Sequence, residues 1–444
     1  MSRRRLNAGN PEGPAVSESV RKMRKEHQTM SATTYLPESE LIASQEKDPI
    51  ELTPATWKDP KRYAWLLGTF MPMAPFLAWG LVELTGWSAF WFLGPALFFV
   101  AFPILDIVVG EDSTNPPDSV LAWLEEDRYY RWITYGFLPI QFAGLVFACW
   151  MWAYGDLSLV ANLGLAWTIG TIGGLGINTA HELGHKRASL ERWLSKIALA
   201  QTFYGHFFIE HNRGHHVKVA TPDDPASSRF GENFYEFWPR TVAGSLRSAI
   251  EIESKRLKRT GSSFWTIKND LLNAWLMSIA LFGALVAVFG WVVLPYLILQ
   301  GVIGFSLLEV VNYLEHYGLA RQKKEDGRFE RCMPSHSWNN NNIASNVFLY
   351  HLQRHSDHHA HPTRRYQALR NFDEAPNLPT GYAGMILLAL FPPAWRRVMD
   401  KRVIEHYHGD LSRANILPRK RSKVLARYGS GESPREAEDR AAQV

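Results

Sequence analysis

Six apolar runs decide most of what this chain can become. They lie near residues 64–85, 88–110, 133–155, 158–180, 270–290 and 292–314. Each is about 20 residues long, the length a helix needs to cross roughly 30 Å of hydrocarbon. Turns at Thr85-Gly86, Gly155-Asp156 and Gly290 join them in pairs, as in helical hairpins. Six such runs in pairs are not what the core of a soluble protein needs. The predicted fold class is all-α, an integral membrane bundle of six transmembrane helices in a lipid bilayer. A mean hydropathy of -0.18 hides this, because polar ends dilute the runs. Seventeen tryptophans suit rings seated at the membrane–water interfaces.

Charge sets the expected orientation. Lys and Arg collect in the first 58 residues, in 186–260 and in 320–444, while the hairpin turns carry almost none. Basic loops stay on the cytoplasmic side, so both termini are expected inside. The acidic connection 111–131 is placed inside by the helix count alone. Spans two, four and six then all end at the cytoplasmic face. Residues 1–58 read as a basic, mobile tail without a cleavable leader, 59–415 as the membrane domain and 416–444 as a charged tail or linker. A net charge of +5 carries no nucleic-acid signature. The two cysteines, Cys149 and Cys332, form no Cys-x-x-Cys pair, so no zinc ribbon or rubredoxin-type centre is expected in this chain.

Thirteen of the sixteen histidines lie between His181 and His361, in short clusters, so the chemistry is expected there. In His181-Glu-Leu-Gly-His185 the two rings stand one helical turn apart and can share a metal. His211-Asn-Arg-Gly-His215-His216 repeats the spacing, with His216 splayed to a neighbouring direction. In His355-Ser-Asp-His358-His359 the spacing keeps three rings on one side, and His316 follows the sixth run. Structural zinc takes about four ligands, so nine imidazoles suit two metals. Imidazole is a good ligand for iron. Glu182, Glu210, Glu315 and Asp357 adjoin ligand histidines and are candidates to accept their second ring N–H. Asp106, inside the second run, is a candidate to face the metal pocket, because a carboxylate there is expensive unless paired. His206, His336, His351 and His361 are expected to support the site.

Two other readings stand beside this one. His181-Glu182-Leu183-Gly184-His185 is also a zinc-protease motif, with Glu182 as general base. It lacks the longer metzincin pattern and leaves seven clustered histidines without a role. A His-rich membrane transporter or sensor is the other, although its ligands would be expected nearer mid-bilayer.

Four stretches carry a more specific likeness: Asn178–Lys186, Gly205–His216, Asn312–Leu319 and Leu352–Thr363. With Ala220-Thr-Pro-Asp-Asp-Pro225 and Ser335-His-Ser-Trp338, they resemble the bacterial membrane-bound alkane 1-monooxygenases over about residues 60 to 415. Membrane desaturases and sterol or xylene hydroxylases share the three-cluster pattern, and a different lipid-like substrate is the alternative. The resemblance implies a histidine-rich cytoplasmic cap holding two irons on His181, His185, His211, His215, His216, His316, His355, His358 and His359. It implies O2 as co-substrate and terminal hydroxylation of n-alkanes in the bacterial inner membrane. It also implies rubredoxin as the electron donor, with rubredoxin reductase upstream. Arg321, Lys323, Lys324, Arg364, Arg365, Arg419, Lys420 and Arg421 are candidates for docking that acidic donor. Phe98 and Phe99 on the second span are candidates to limit chain length in an apolar channel.

Overall fold

A computed structural model describes residues 53–429. Most of the expected N-terminal tail, 1–52, and the stretch from 430 onward lie outside the described residues. Six helices are long and apolar enough to cross a membrane: Ala64–Thr85, Ser88–Val109, Arg128–Tyr154, Leu159–Gly184, Asp270–Phe289 and Trp291–Glu315. Among the described residues the only strand-like pairings are isolated bridges. The all-α fold class and the count of spans are as the apolar runs predict.

The differences lie at the ends and have local causes. The third span starts at Arg128, five residues before the expected 133, because the Asp127 carboxylate caps it by accepting the Tyr129 N–H at 2.9 Å. The fourth is capped by Ser158 and runs on to Gly184, so His181 sits inside the helix. The second span is irregular, with a π turn over Leu97–Ala101 just before Pro103. Such turns widen a helix and are frequent at functional sites.

The fourth span is the most buried of the six and forms the axis of the bundle. Small residues let the sixth span approach it closely. A Cβ on Gly170 would meet Ile303 Cβ at 2.6 Å, and one on Gly174 would meet Leu307 Cβ at 2.9 Å. Close backbone approach through glycine is how helices gain packing where lipid supplies no hydrophobic drive.

Beyond the span ends a helical cap folds over one end of the bundle. It includes Ser189–Ala200, the amphipathic helix Phe234–Arg259, and the short helices Ile343–Phe348, His355–Ala360 and Tyr382–Ala389. Side chains from outside the helices cap two of these. Asp106 accepts from Ser345 N at 2.8 Å and Ser345 Oγ at 2.6 Å, and Asn339 Oδ1 accepts from Ser356 N at 2.9 Å. The fully buried Arg354 donates to the carbonyls of Leu369, Asp112 and Thr114, tying the loop after span two to the third histidine cluster. Order continues past 415. Ile416 and Leu417 are buried, and Arg421–Tyr428 is a helix packed through Val424, Leu425 and Tyr428. The expected tail therefore begins, within the described residues, as part of the fold.

Candidate metal centre

All nine histidines meet under the cap, in two adjacent groups. His181, His185, His211, His216 and His358 form one, and His215, His316, His355 and His359 the other; within each, the candidate ligand atoms all lie within 4.8 Å of one another. In the first group the Nε2 atoms form a chain of close approaches. His181 to His358 is 2.9 Å, His358 to His216 is 3.0 Å, His216 to His211 is 3.1 Å and His211 to His185 is 3.0 Å. In the second, His355 Nε2 and His359 Nε2 are 2.9 Å apart. His215 Nε2 and His316 Nε2 are buried with no hydrogen-bond partner. Rings of the two groups touch, with His216 and His359 centroids 4.4 Å apart.

These spacings test what the site can hold. Neutral imidazole nitrogens present lone pairs, and several converging at about 3 Å repel unless a cation lies among them. Nitrogens about 2.1 Å from one ion stand roughly 3 Å apart at right angles and roughly 3.4 Å apart in a tetrahedron. The close approaches in both groups are the spacing that nitrogens sharing one ion would have. Burial pushes the pKa of His185, His211, His216, His355, His358 and His359 well below the ordinary histidine value, which keeps them neutral and ready to ligate.

The histidine motifs divide between the groups in a way that helical spacing does not show. His181 and His185 share one group as expected, but His211 and His215 part company. Residues His211–His215 form a π turn, and its wider winding pairs His211 with His216 instead and turns His215 toward the second group. In the third cluster His355 and His359, four apart, face one group, while His358 turns to the other. The expectation that its three rings lie on one side is corrected accordingly.

The supporting residues differ more from expectation. His215 Nδ1 donates to Asp224 at 2.9 Å, which fixes the tautomer that leaves Nε2 free. Burial alone would raise the Asp224 carboxyl; the His215 imidazole outweighs it and holds the pKa below the usual range. Asp224 was not anticipated as a partner, although it lies in the quoted Ala220–Pro225 motif. His316 Nδ1 donates to the His336 carbonyl at 3.2 Å, and His355 Nδ1 stands 3.2 Å from Glu315 Oε1. Glu315 therefore lies against His355, without a hydrogen bond to it.

Glu182 and Asp357 are committed elsewhere. Glu182 pairs with Lys186 at 2.9 Å and accepts from Tyr366 N, while Asp357 binds His361 and Arg364. Adjacency to a ligand histidine turns these carboxylates away, since neighbours on a helix point in different directions. Glu210 is buried with Oε1 unpartnered, and burial raises its pKa to about 8. Asp106 does not face the metal pocket; it is spent on Ser345. His206 packs on Tyr204 and His351 Nδ1 donates to the Tyr366 carbonyl, so both support the fold.

An apolar cavity reaches the histidines of both groups. Its wall includes Phe98, Leu175, Leu307, Val311, Leu352 and Ile386, and its polar end is formed by His181, His211, His355 and Glu315. Phe98 is on the wall, within the π turn of span two. Phe99 is absent from that lining and packs edge-on against Phe98, at 5.0 Å.

The basic residues divide as well. Arg364 is bound to Asp357, Arg365 to Glu191, Arg419 to Glu236, and Lys420 to the Gly231 carbonyl. Arg321, which donates to the carbonyls of Glu330 and Val217, and Arg421 line a surface pocket together with Lys323, Arg229 and Arg413; no carboxylate lines it. Lys324 is exposed beside it.

Comparison with known proteins gives a consistent picture. A family model described as fatty acid desaturase matches residues 158–389. The chain is 50% identical to the alkane 1-monooxygenase of Acinetobacter baylyi, over 84% of this chain and 92% of that protein. It is 46% identical to alkane 1-monooxygenase 1 of Alcanivorax borkumensis, over 85% of this chain and 94% of that protein. A xylene/toluene monooxygenase hydroxylase component of Pseudomonas putida is 31% identical over 54% of this chain and 62% of that protein.

Proposed function

This chain belongs to the alkane 1-monooxygenase family, and on that premise we propose that it hydroxylates n-alkanes at the terminal carbon on a pair of irons held by the nine histidines. The observation that carries the reading is the junction of an apolar cavity with two groups of converging imidazole nitrogens. An alkane has no polar handle, so only shape can present it. A mostly apolar cavity that reaches His181, His211 and His355 would present a terminal methyl first, which is regiochemistry by proximity.

The irons, when bound, supply the reductive cleavage of O2: alkane, O2, two electrons and two protons give the 1-alkanol and water. The chain's own residues do the rest. The histidines hold the ions, Asp224 and the His336 carbonyl fix ring tautomers at His215 and His316, and Phe98, Leu307 and Ile386 keep bulk water from the reacting carbon.

Rubredoxin is the proposed electron donor; this sequence carries no Cys-x-x-Cys pair of its own. An acidic rubredoxin suits the pocket of Arg229, Arg321, Lys323, Arg413 and Arg421, whose cations have no carboxylate on the same wall. The excess of Lys and Arg on the cap side supports a cytoplasmic cap in the bacterial inner membrane, with both termini inside.

The zinc-protease alternative fares poorly on one observation. Its general base, Glu182, would have to face metal-bound water, yet it is committed to Lys186 and the Tyr366 amide. Membranes containing the chain, supplied with octane, NADH, rubredoxin and its reductase under 18O2, are expected to form labelled 1-octanol, with about two irons per chain. Unlabelled alcohol, no alcohol, or a single zinc would reject the proposal.

A further inference from the structure

The helix Tyr382–Ala389 touches both the cavity and the scaffold of the metal centre. Its Ile386 lines the cavity wall. Tyr382, one turn earlier on the same face, is fully buried, and its hydroxyl donates to Glu315 Oε1 at 2.9 Å. That same oxygen stands 3.2 Å from Nδ1 of the candidate ligand His355, an approach that is not a hydrogen bond and leaves Nδ1 otherwise unpartnered. The Tyr382 N–H donates to Gln353 Oε1 at 2.7 Å, two residues before His355. The helix start is pinned from the other side. A Cβ at Gly381 would collide with the Asp106 carboxylate of span two and meet Ser345 Oγ at 2.8 Å. Span two also carries Phe98, which lines the cavity together with Ile386. One short element therefore joins the cavity lining to one candidate ligand.

We propose that Tyr382 is a positioning residue that couples occupancy of the apolar cavity to the orientation of the His355 ligand through Glu315. The proposal rests on the functional reading above and adds a regulatory step to it. An alkane filling the space beside Ile386 presses on a helix whose first turn holds the Glu315 carboxylate. That carboxylate lies against the His355 ring without a hydrogen bond to it, so a movement of the helix brings its oxygen into or out of line with Nδ1, the contact by which outer partners orient metal-bound histidines. The arrangement makes oxygen reduction depend on substrate. Without coupling, O2, two electrons and two protons leave as hydrogen peroxide and no alcohol forms.

The test compares the full chain with Tyr382→Phe, which removes only the hydroxyl, and with Glu315→Gln. Tyr407→Phe, a hydroxyl removed from a site that bonds Ala320 N, serves as control. Metal content is measured first and is expected to be unchanged. Tyr382→Phe is then expected to form at least threefold less 1-octanol per NADH, with the difference recovered as peroxide. In cobalt(II)-loaded protein, octane is expected to shift the visible spectrum of the parent and the control, and to leave that of Tyr382→Phe unmoved. An unchanged octanol-to-NADH ratio, a parent spectrum indifferent to octane, or loss of metal in Tyr382→Phe would overturn the coupling. Absence of octanol from the parent, with the cobalt response intact, would instead defeat the substrate reading and leave the coupling standing.

Discussion

At His215 the two ring nitrogens have separate tasks. Nδ1 is tied to Asp224, and Nε2 is left as a buried lone pair aimed at its three companions. Such outer partners are worth roughly 10–100-fold in metal affinity or activity. Asp224→Asn is expected to weaken metal retention by about that range, read by dialysis against a chelator followed by metal analysis. Full retention would reduce Asp224 to a loop residue. Phe98 makes a separate point about size. It is 3% exposed and lies on the cavity wall within a π turn. Phe98→Ala is expected to lengthen the cavity and move product formation from shorter toward longer alkanes, measured on a mixture from octane to hexadecane. An unchanged profile would place the length limit elsewhere. The nine candidate ligands were legible in sequence because imidazoles at spacings of three, four and five residues have few other uses in such number. Their division between two groups was not legible, because a π turn leaves no mark on residue spacing. The outer carboxylates were misjudged for a related reason: Glu182 and Asp357 neighbour ligands along the chain but point away in space.

Among the elements, the spans make themselves and the cap is made by its contacts. Each span has enough apolar length to be stable in hydrocarbon by itself. The helices Ile343–Phe348 and His355–Ala360 are only six residues each, far too short to persist alone. They hold because Asp106, from span two, and Asn339, from the preceding loop, supply caps. The loop after span two acts likewise as a tether. Lys61 pairs with Asp112 at 2.9 Å, and the Asp112 carbonyl accepts from Arg354. Burial alone would raise the Asp112 carboxyl; bonds from Thr114 and Lys61 outweigh it and hold the pKa at about 2. A carboxyl lowered on folding contributes stability above its unfolded pKa of about 4, and loses it as pH falls toward the folded value. In detergent unfolding, the advantage of the parent over Asp112→Asn is therefore expected to be full at pH 6 and to shrink steadily below pH 4. An advantage equal at pH 6 and pH 3 would show that the charge of Asp112 is not what tethers the loop.

On the scale of the whole molecule, one end of the bundle gathers the metal centre, the cap and a cationic pocket. On the proposed reading a soluble donor supplies the electrons, and complementary charge would speed that encounter while being screened by salt. The double variant Lys323→Glu with Arg421→Glu is expected to raise the KM for rubredoxin several-fold, leave kcat within about twofold, and flatten the dependence of rate on ionic strength. A salt profile identical to the parent's would move the docking face elsewhere. Arg364, Arg365 and Arg419 are poor choices for such variants, because their charges are already held by Asp357, Glu191 and Glu236.

The amino-acid order alone determined the six spans, the all-helical class, the identity of the clustered imidazoles and, through resemblance, the chemistry. Hydrophobic length and ligand spacing are local properties, readable within one turn or one span. Only the tertiary structure decided that His211 belongs with His216, that Asp224 and not Glu182 or Asp357 backs a ligand, and that Asp106 caps a helix. It also decided that Tyr382 stands between a greasy cavity and His355. Those outcomes depend on local winding, such as the π turn over His211–His215, and on contacts between segments as far apart as Asp106 and Ser345, and a buried polar atom takes whichever partner packing brings to it.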